Sequence, residues 1–110
     1  MQLKKYRWSR DYESAEEELL QMFEAKKITS QRWSAESDKK FAPVVNALDK
    51  KLWCAEGSII YTIDGRNISL QAGDALDIPA YTVHAALGGF SGCAVYESPV
   101  PGDNPAIPQV

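Results

Sequence analysis

KKLWCAEGSIIYTIDGRNISLQAGDALDIPAYTVH, residues 50–84, alternates short apolar runs with turn residues. Leu52-Trp53-Cys54-Ala55 and Ser58-Ile59-Ile60-Tyr61-Thr62-Ile63 read as strands on either side of Glu56-Gly57. Asp64-Gly65 predicts a tight hairpin, because a two-residue turn that follows strand twist needs positive φ. Asn67-Ile68-Ser69-Leu70 alternates polar and apolar, as a half-buried strand does. Ala72-Gly73-Asp74 is a further turn, and Leu76-Asp77-Ile78 a short strand. Pro79 ends that strand because it has no N–H for the ladder. Thr82-Val83-His84-Ala85-Ala86 predicts another strand and holds the only histidine of the chain. Short strands at regular turn spacing predict an all-β barrel or sandwich.

Outward from this stretch, a helix is predicted over residues 11–27. Asp11 or Ser14 can cap it, and Ser14-x-x-Glu17 has the capping-box pattern. Glu16, Glu17 and Glu18 near its start, with Lys26 and Lys27 near its end, suit the helix dipole. Tyr12, Ala15, Leu19, Met22 and Phe23 recur at helical spacing and predict one apolar stripe lying on the sheet. Residues 28–35 and Phe41-Ala42-Pro43-Val44-Val45-Asn46 read as extended, joined by the polar turn Ser37-Asp38-Lys39-Lys40. Pro43 favours an edge or a bulge. Leu87-Gly88-Gly89-Phe90-Ser91-Gly92 reads as a Gly-rich turn, and Cys93-Ala94-Val95-Tyr96 as the last clear strand. Tyr6 and Trp8 are possible anchors. From Pro99 onward, Pro99, Pro101, Pro105 and Pro108 predict an irregular tail over residues 99–110.

The chain has 110 residues, enough for one domain that buries a core without staples. Its formal net charge of −3 and its lack of a basic face argue against nucleic acid. No apolar run approaches the roughly 20 residues of a membrane helix. Residues 1–6 lack the apolar core of a signal peptide, which points to the cytoplasm. In that compartment Cys54 and Cys93 are expected as free thiols in strands.

Gly73, Pro79 and His84 are spaced as in the second motif of the cupin superfamily, which the segment resembles. Tyr81 stands where that motif usually has a second glycine, and Gly88 where an asparagine is usual. Glu56-Gly57 resembles the end of the first motif. The resemblance spans about residues 29–98. It implies a single cupin domain: an antiparallel β-barrel of jelly-roll type (a double-stranded β-helix) over about 28–98, preceded by the one helix. By the same resemblance His84 points into the barrel.

The first motif departs from the metal-binding pattern. Its two histidine positions fall on Val44 and Asn46, and its glutamate position on Lys50. Valine cannot ligate, and a protonated lysine repels a cation. Only His84 survives as a candidate ligand, so no metal and no cofactor are expected; a bulge that brought Asp49 inward would add one carboxylate. Alternation along the strands predicts an interior lined by Val44, Asn46, Lys50, Leu52, Cys54, Tyr61 and His84. Ile59 and Ile63 join that face. Such a mostly apolar interior with a few polar groups is how small-ligand pockets are built.

Each residue also has a structural reading. His84 can be a hydrogen-bonded core histidine, Cys54 a small buried apolar group, and Lys50 a side chain reaching to the barrel mouth. Trp33 and Trp53 read as packing or subunit-contact residues. Three functions fit. The first is a metal-free binder of a small, anionic or carbonyl-bearing molecule, with His84 as anchor and Lys50, Tyr61, Asn46 and Cys54 around it. The second is an enzyme, either of the metal-dependent oxygenase or isomerase type or a metal-free isomerase; no second histidine or pocket carboxylate is evident to complete its acid–base set. The third is a structural module. A closed homodimer is the default oligomer.

Overall fold

The computed structural model describes residues 1–100. Two long strands carry the architecture: β4 (Asp49–Ile63) and β7 (His84–Val100). They pair antiparallel along most of their length, from Asp49 opposite Val100 to Thr62 opposite Ala85. The shorter strands β1 (Lys4–Arg7), β2 (Gln31–Ala35), β3 (Lys40–Val44), β5 (Arg66–Gln71) and β6 (Asp74–Ile78) attach to them or to each other. The order is β1-β6-β4-β7-β2, with β3 added to β7 and β5 to β4. This is the antiparallel β-barrel with one N-terminal helix that the sequence predicts. Helix α1 (Ala15–Lys26), the one helix among the described residues, lies against it.

The long strands bend where they cross. Gly57 stands opposite Cys93, and register shifts flank it on β4. Gly57 and Gly92 both have positive φ, and a Cβ on Gly57 would collide with the Gly92 carbonyl oxygen. Only glycine permits this approach of two backbones. The bend lets each strand serve both sides of the barrel. The predicted Gly-rich turn at 87–92 is therefore strand. Gly88 and Gly89 lie tight against the Glu36 carbonyl and the Ser58 side chain, so the glycines there serve close packing and not reversal.

Asp64 and Gly65 form the hairpin turn with φ of 51° and 73°, and Ile63 pairs with Arg66 as expected. The predicted strand at Thr82 begins only at His84, after a turn through Ala80 and Tyr81. Pro99 and Val100 continue β7 opposite Lys50 and Asp49. A terminal edge position accommodates Pro99, which corrects the irregular tail at its first two residues. Residues 101–110 of that tail lie outside the described residues.

Two apolar clusters fill the domain. Inside the barrel, Leu52, Cys54, Ile59, Ile63, Leu70 and Val95 pack with Leu76, Ile78, Tyr61 and Cys93. Outside it, Leu19 and Phe23 of α1 cover Trp53, Ala55, Ala75 and Tyr96. Alternation along β4 makes both possible, since Leu52 and Cys54 face in while Trp53 and Ala55 face the helix. Phe23 meets Trp53 and Tyr96 edge-on at 4.8 and 5.6 Å. Trp53 is thus a packing residue of this domain. Tyr6 and Trp8 anchor onto the same outer cluster.

The helix is shorter than predicted. Ser14 precedes it without a side-chain capping bond, and residues 11–13 form a turn held by the Asp11 carboxylate accepting the Glu13 N–H. Tyr12 is left outside the stripe and half-exposed. At the other end Lys27 takes a left-handed conformation, while the Ile28 N–H bonds the Phe23 carbonyl and the Lys27 N–H that of Glu24. This is the Schellman arrangement, usually built on glycine. Among the described residues no helix is long and apolar enough to cross a membrane.

Candidate functional site

Toward one end the barrel interior opens into a cavity of about 500 Å³. β4 contributes Lys50, Leu52 and Tyr61, β7 contributes His84, Ala86 and Glu97, and Trp33, Phe41 and Val44 close the remaining side. Lys50, Leu52, Val44, Tyr61 and His84 are brought together as the alternation predicts. Asn46 and Cys54 are not among the lining residues.

Cys54 is fully buried in the interior cluster, with its thiol donating toward the carbonyls of Glu56 and Gly57 at 3.4 and 3.8 Å. Burial pushes this thiol up to about 12, so at neutral pH it is not a thiolate nucleophile. Asn46 falls beyond the end of β3 and lines a different, polar cleft. Its carbonyl accepts the Tyr81 N–H at 2.7 Å.

His84 is 5% exposed. Its Nδ1 lies 2.9 Å from the Thr82 carbonyl oxygen, which can only accept, so Nδ1 carries a proton. That contact fixes the ring and turns Nε2 into the nitrogen available to a ligand. The Tyr61 ring lies 6.3 Å away, centroid to centroid, at 47°. Burial, followed by the nearby Glu97 carboxylate, holds the Tyr61 phenol well above its usual range. Tyr61 is therefore a hydrogen-bond donor at neutral pH and not a base.

Glu97 is the residue that sequence reasoning missed. It gives the cavity a carboxylate where none was evident. Its Oε2 accepts the Trp33 indole N–H at 3.2 Å and lies 3.6 Å from Lys50 Nζ. Leu52 stands opposite Glu97 in the β4–β7 ladder, and Lys50 opposite Pro99. Lys50 and Glu97 are thus diagonal neighbours on the inward face. The signal available in sequence was the inward parity of Cys93 and Val95, which Glu97 continues. Trp33 also meets Phe41 edge-on at 5.2 Å, forming an aromatic wall. Lys39 and Lys40 stand at the exposed rim, so three lysines face one carboxylate around the cavity.

The donor set does not fit a transition-metal ion. Val44 offers hydrocarbon and stands opposite His84 in the β3–β7 ladder. Lys50 brings an ammonium group that is already engaged by the one pocket carboxylate. Asp49, the other acidic candidate, is buried outside this cavity with Oδ1 accepting the Ala80 N–H at 2.8 Å. Its work is to hold the turn that leads into His84. Among the described residues no three His, Cys, Asp or Glu side chains converge.

No protein-family model matches the chain, and no curated protein matches it. Solved structures do. A cupin superfamily protein from Desulfitobacterium hafniense aligns with a TM-score of 0.61 at 15% identity, over 90% of this chain and 77% of that one. An RmlC-like cupin from Shewanella frigidimarina gives 0.58 at 19%, over 68% of each chain. A DUF861 family protein from Thermotoga maritima gives 0.60 at 12%, over 90% of this chain and all of that one. The bent β4–β7 pair, the hollow inside it and this likeness make the chain a small β-barrel of the cupin fold.

Proposed function

We propose that the chain binds a small anionic or carbonyl-bearing molecule inside the barrel, without a metal. The observation that carries this reading is the cavity itself: a largely apolar hollow with His84, Lys50, Tyr61 and Glu97 inside and Lys39 and Lys40 at its rim. His84 Nε2 accepts from a ligand hydroxyl or, when protonated, donates to an oxygen. The Tyr61 phenol donates. Lys50 supplies charge, with Glu97 and Trp33 holding it in place. The excess of lysine over glutamate around the opening favours an anion.

Calorimetric titration of a carboxylate or sugar-acid library tests it, with wild type and His84→Ala. Losing a hydrogen bond to a charged group costs about 1.5–3 kcal/mol, roughly ten- to a hundredfold in affinity. His84→Ala is expected to weaken the ligand by that factor with its melting curve still cooperative. Unchanged binding in that variant would falsify the assignment.

Glu97 favours a second reading. A carboxylate next to Lys50, facing a protonated phenol and a histidine, is a metal-free acid–base set, which fits an isomerase or lyase on the same class of molecule. Turnover of a bound acid, followed by proton exchange with deuterated solvent, separates enzyme from binder. A homodimer is proposed as well, through the exposed Val44, which lines the opening, and the exposed Val45, Tyr81 and Val83. Light scattering that gave a monomer mass at micromolar concentration would remove it.

A further inference from the structure

Lys50 and Glu97 line not one cavity but two. On the far side of the pair is the polar cleft, about 380 Å³, bordered by Thr29, Ser30, Gln31, Asn46 and Ser98. The ion pair therefore borders both the apolar hollow and the polar cleft, where the two meet. The two compartments differ in chemistry. The hollow is walled by Trp33, Phe41 and Leu52. The cleft is walled by amides, hydroxyls and the charged pair, with Pro99 as its apolar member.

The polar groups of the cleft are partly engaged. Ser98 Oγ already donates to the Thr29 carbonyl at 2.8 Å. Glu97 Oε2 is engaged by Trp33 and Lys50. Asn46 Nδ2 is buried and has no hydrogen-bond partner. Buried amide donors are almost always satisfied, and one left bare is destabilising. Asn46 and Lys50 both line the cleft, so an acceptor group seated there lies beside both residues, and a small rotation of the Asn46 amide would give its bare donor a partner.

We infer that this cleft is the carboxylate-binding half of the ligand site, so that the ligand is an acid with an apolar body in the hollow and its carboxylate between Asn46 and Lys50. This rests on the barrel cavity being the binding site. A monoanion fits better than a dianion because Glu97 cancels the charge of Lys50 locally, leaving amide and hydroxyl donors to hold the head group. Phosphate, with its second charge, would be repelled by Glu97 at close range. The pair then acts as a hinge of charge: a carboxylate that draws Lys50 toward the cleft leaves Glu97 on the Trp33 indole.

The probes are 3-phenylpropanoate, acetate, 3-phenylpropanol and inorganic phosphate, titrated calorimetrically into the full chain. 3-Phenylpropanoate is expected to bind more tightly than each of the other three. Asn46→Asp is nearly isosteric and replaces the donor by a second negative charge. It is expected to weaken 3-phenylpropanoate and acetate at least about tenfold, the size of a lost charge-assisted hydrogen bond, while binding of the alcohol stays unchanged. Ala86→Trp fills the hollow and is expected to weaken 3-phenylpropanoate and spare acetate. If Asn46→Asp binds the acids as wild type does, the cleft is not the anion site, whatever the hollow does. If phosphate binds as tightly as the carboxylates, or no acid binds at millimolar concentration, the inference is overturned. If Ala86→Trp is silent while Asn46→Asp is damaging, the cleft stands and the hollow is not the ligand's seat.

Discussion

The inward faces of β4 and β7 build two unlike ends of one barrel. At one end Cys54, Ile59, Ile63 and Val95 close over each other with essentially no exposure. At the other, the same strands present Lys50, Tyr61, His84 and Glu97 around a hollow. Backbone geometry does not separate them, because both are antiparallel ladder. Side-chain volume and polarity do. A core closes where branched apolar groups meet across the barrel, and stays open where long charged groups prefer to face each other and water.

This contrast predicts that substitutions at the sealed end act on stability and those at the open end on binding. Ile59→Ala is expected to cost about 2–5 kcal/mol, read as a lower urea midpoint with unchanged slope. A cost near that of an open-end substitution would break the contrast.

Alkaline pH gives the next largest effect. The Cys54 thiol sits at about 12 in the folded chain against an ordinary 9.0, because burial disfavours the thiolate. A raised acid contributes stability that is complete below the unfolded value and is lost as pH rises through the folded one. The urea midpoint is expected to hold up to about pH 9 and to fall between 9 and 12. Cys54→Ala should shallow that fall, although Tyr61 and Tyr6 titrate in the same direction. Native thiols are expected to react with a disulfide reagent only on unfolding; fast labelling of both at pH 8 would show the sealed end to be open.

Smallest is the rim. Val44→Ser, at a side chain 52% exposed, is expected to change stability by about 0.5 kcal/mol or less. A larger loss would mean that something covers the opening in solution, and light scattering on the same variant would say whether that is a second copy.

Much of the sealed end was legible. Ile59 and Ile63 lie on one parity of β4, with half-buried Ile60 and exposed Thr62 on the other, and Asp64-Gly65 fixes the turn that follows, so face and register come from local chemistry. The open end was legible where a motif places a residue, as Gly73, Pro79 and His84 do. Glu97 was not, because its partners Trp33 and Lys50 are 64 residues away and on a neighbouring strand respectively, and only the ladder brings them together. Strand β1 was hidden for a related reason. Lys4-Lys5-Tyr6-Arg7 has no alternating apolar signal, and it is strand because β6 offers an edge to pair with. Asn46 went astray by the opposite route. The alternation was carried past Val44, where β3 ends and parity no longer applies.

Strand β3 has a consequence for life in concentrated solution. It walls the open end, carries exposed Val44, and among the described strands pairs only with β7. A free backbone edge beside apolar side chains is a template on which foreign strands can add. Pro43 withholds its N–H from that edge, the register breaks between Phe41 and Val44, and Lys39 and Lys40 put charge at the near end. An apolar entrance can therefore stay open to small molecules because the backbone beside it cannot recruit a neighbouring chain into a growing sheet.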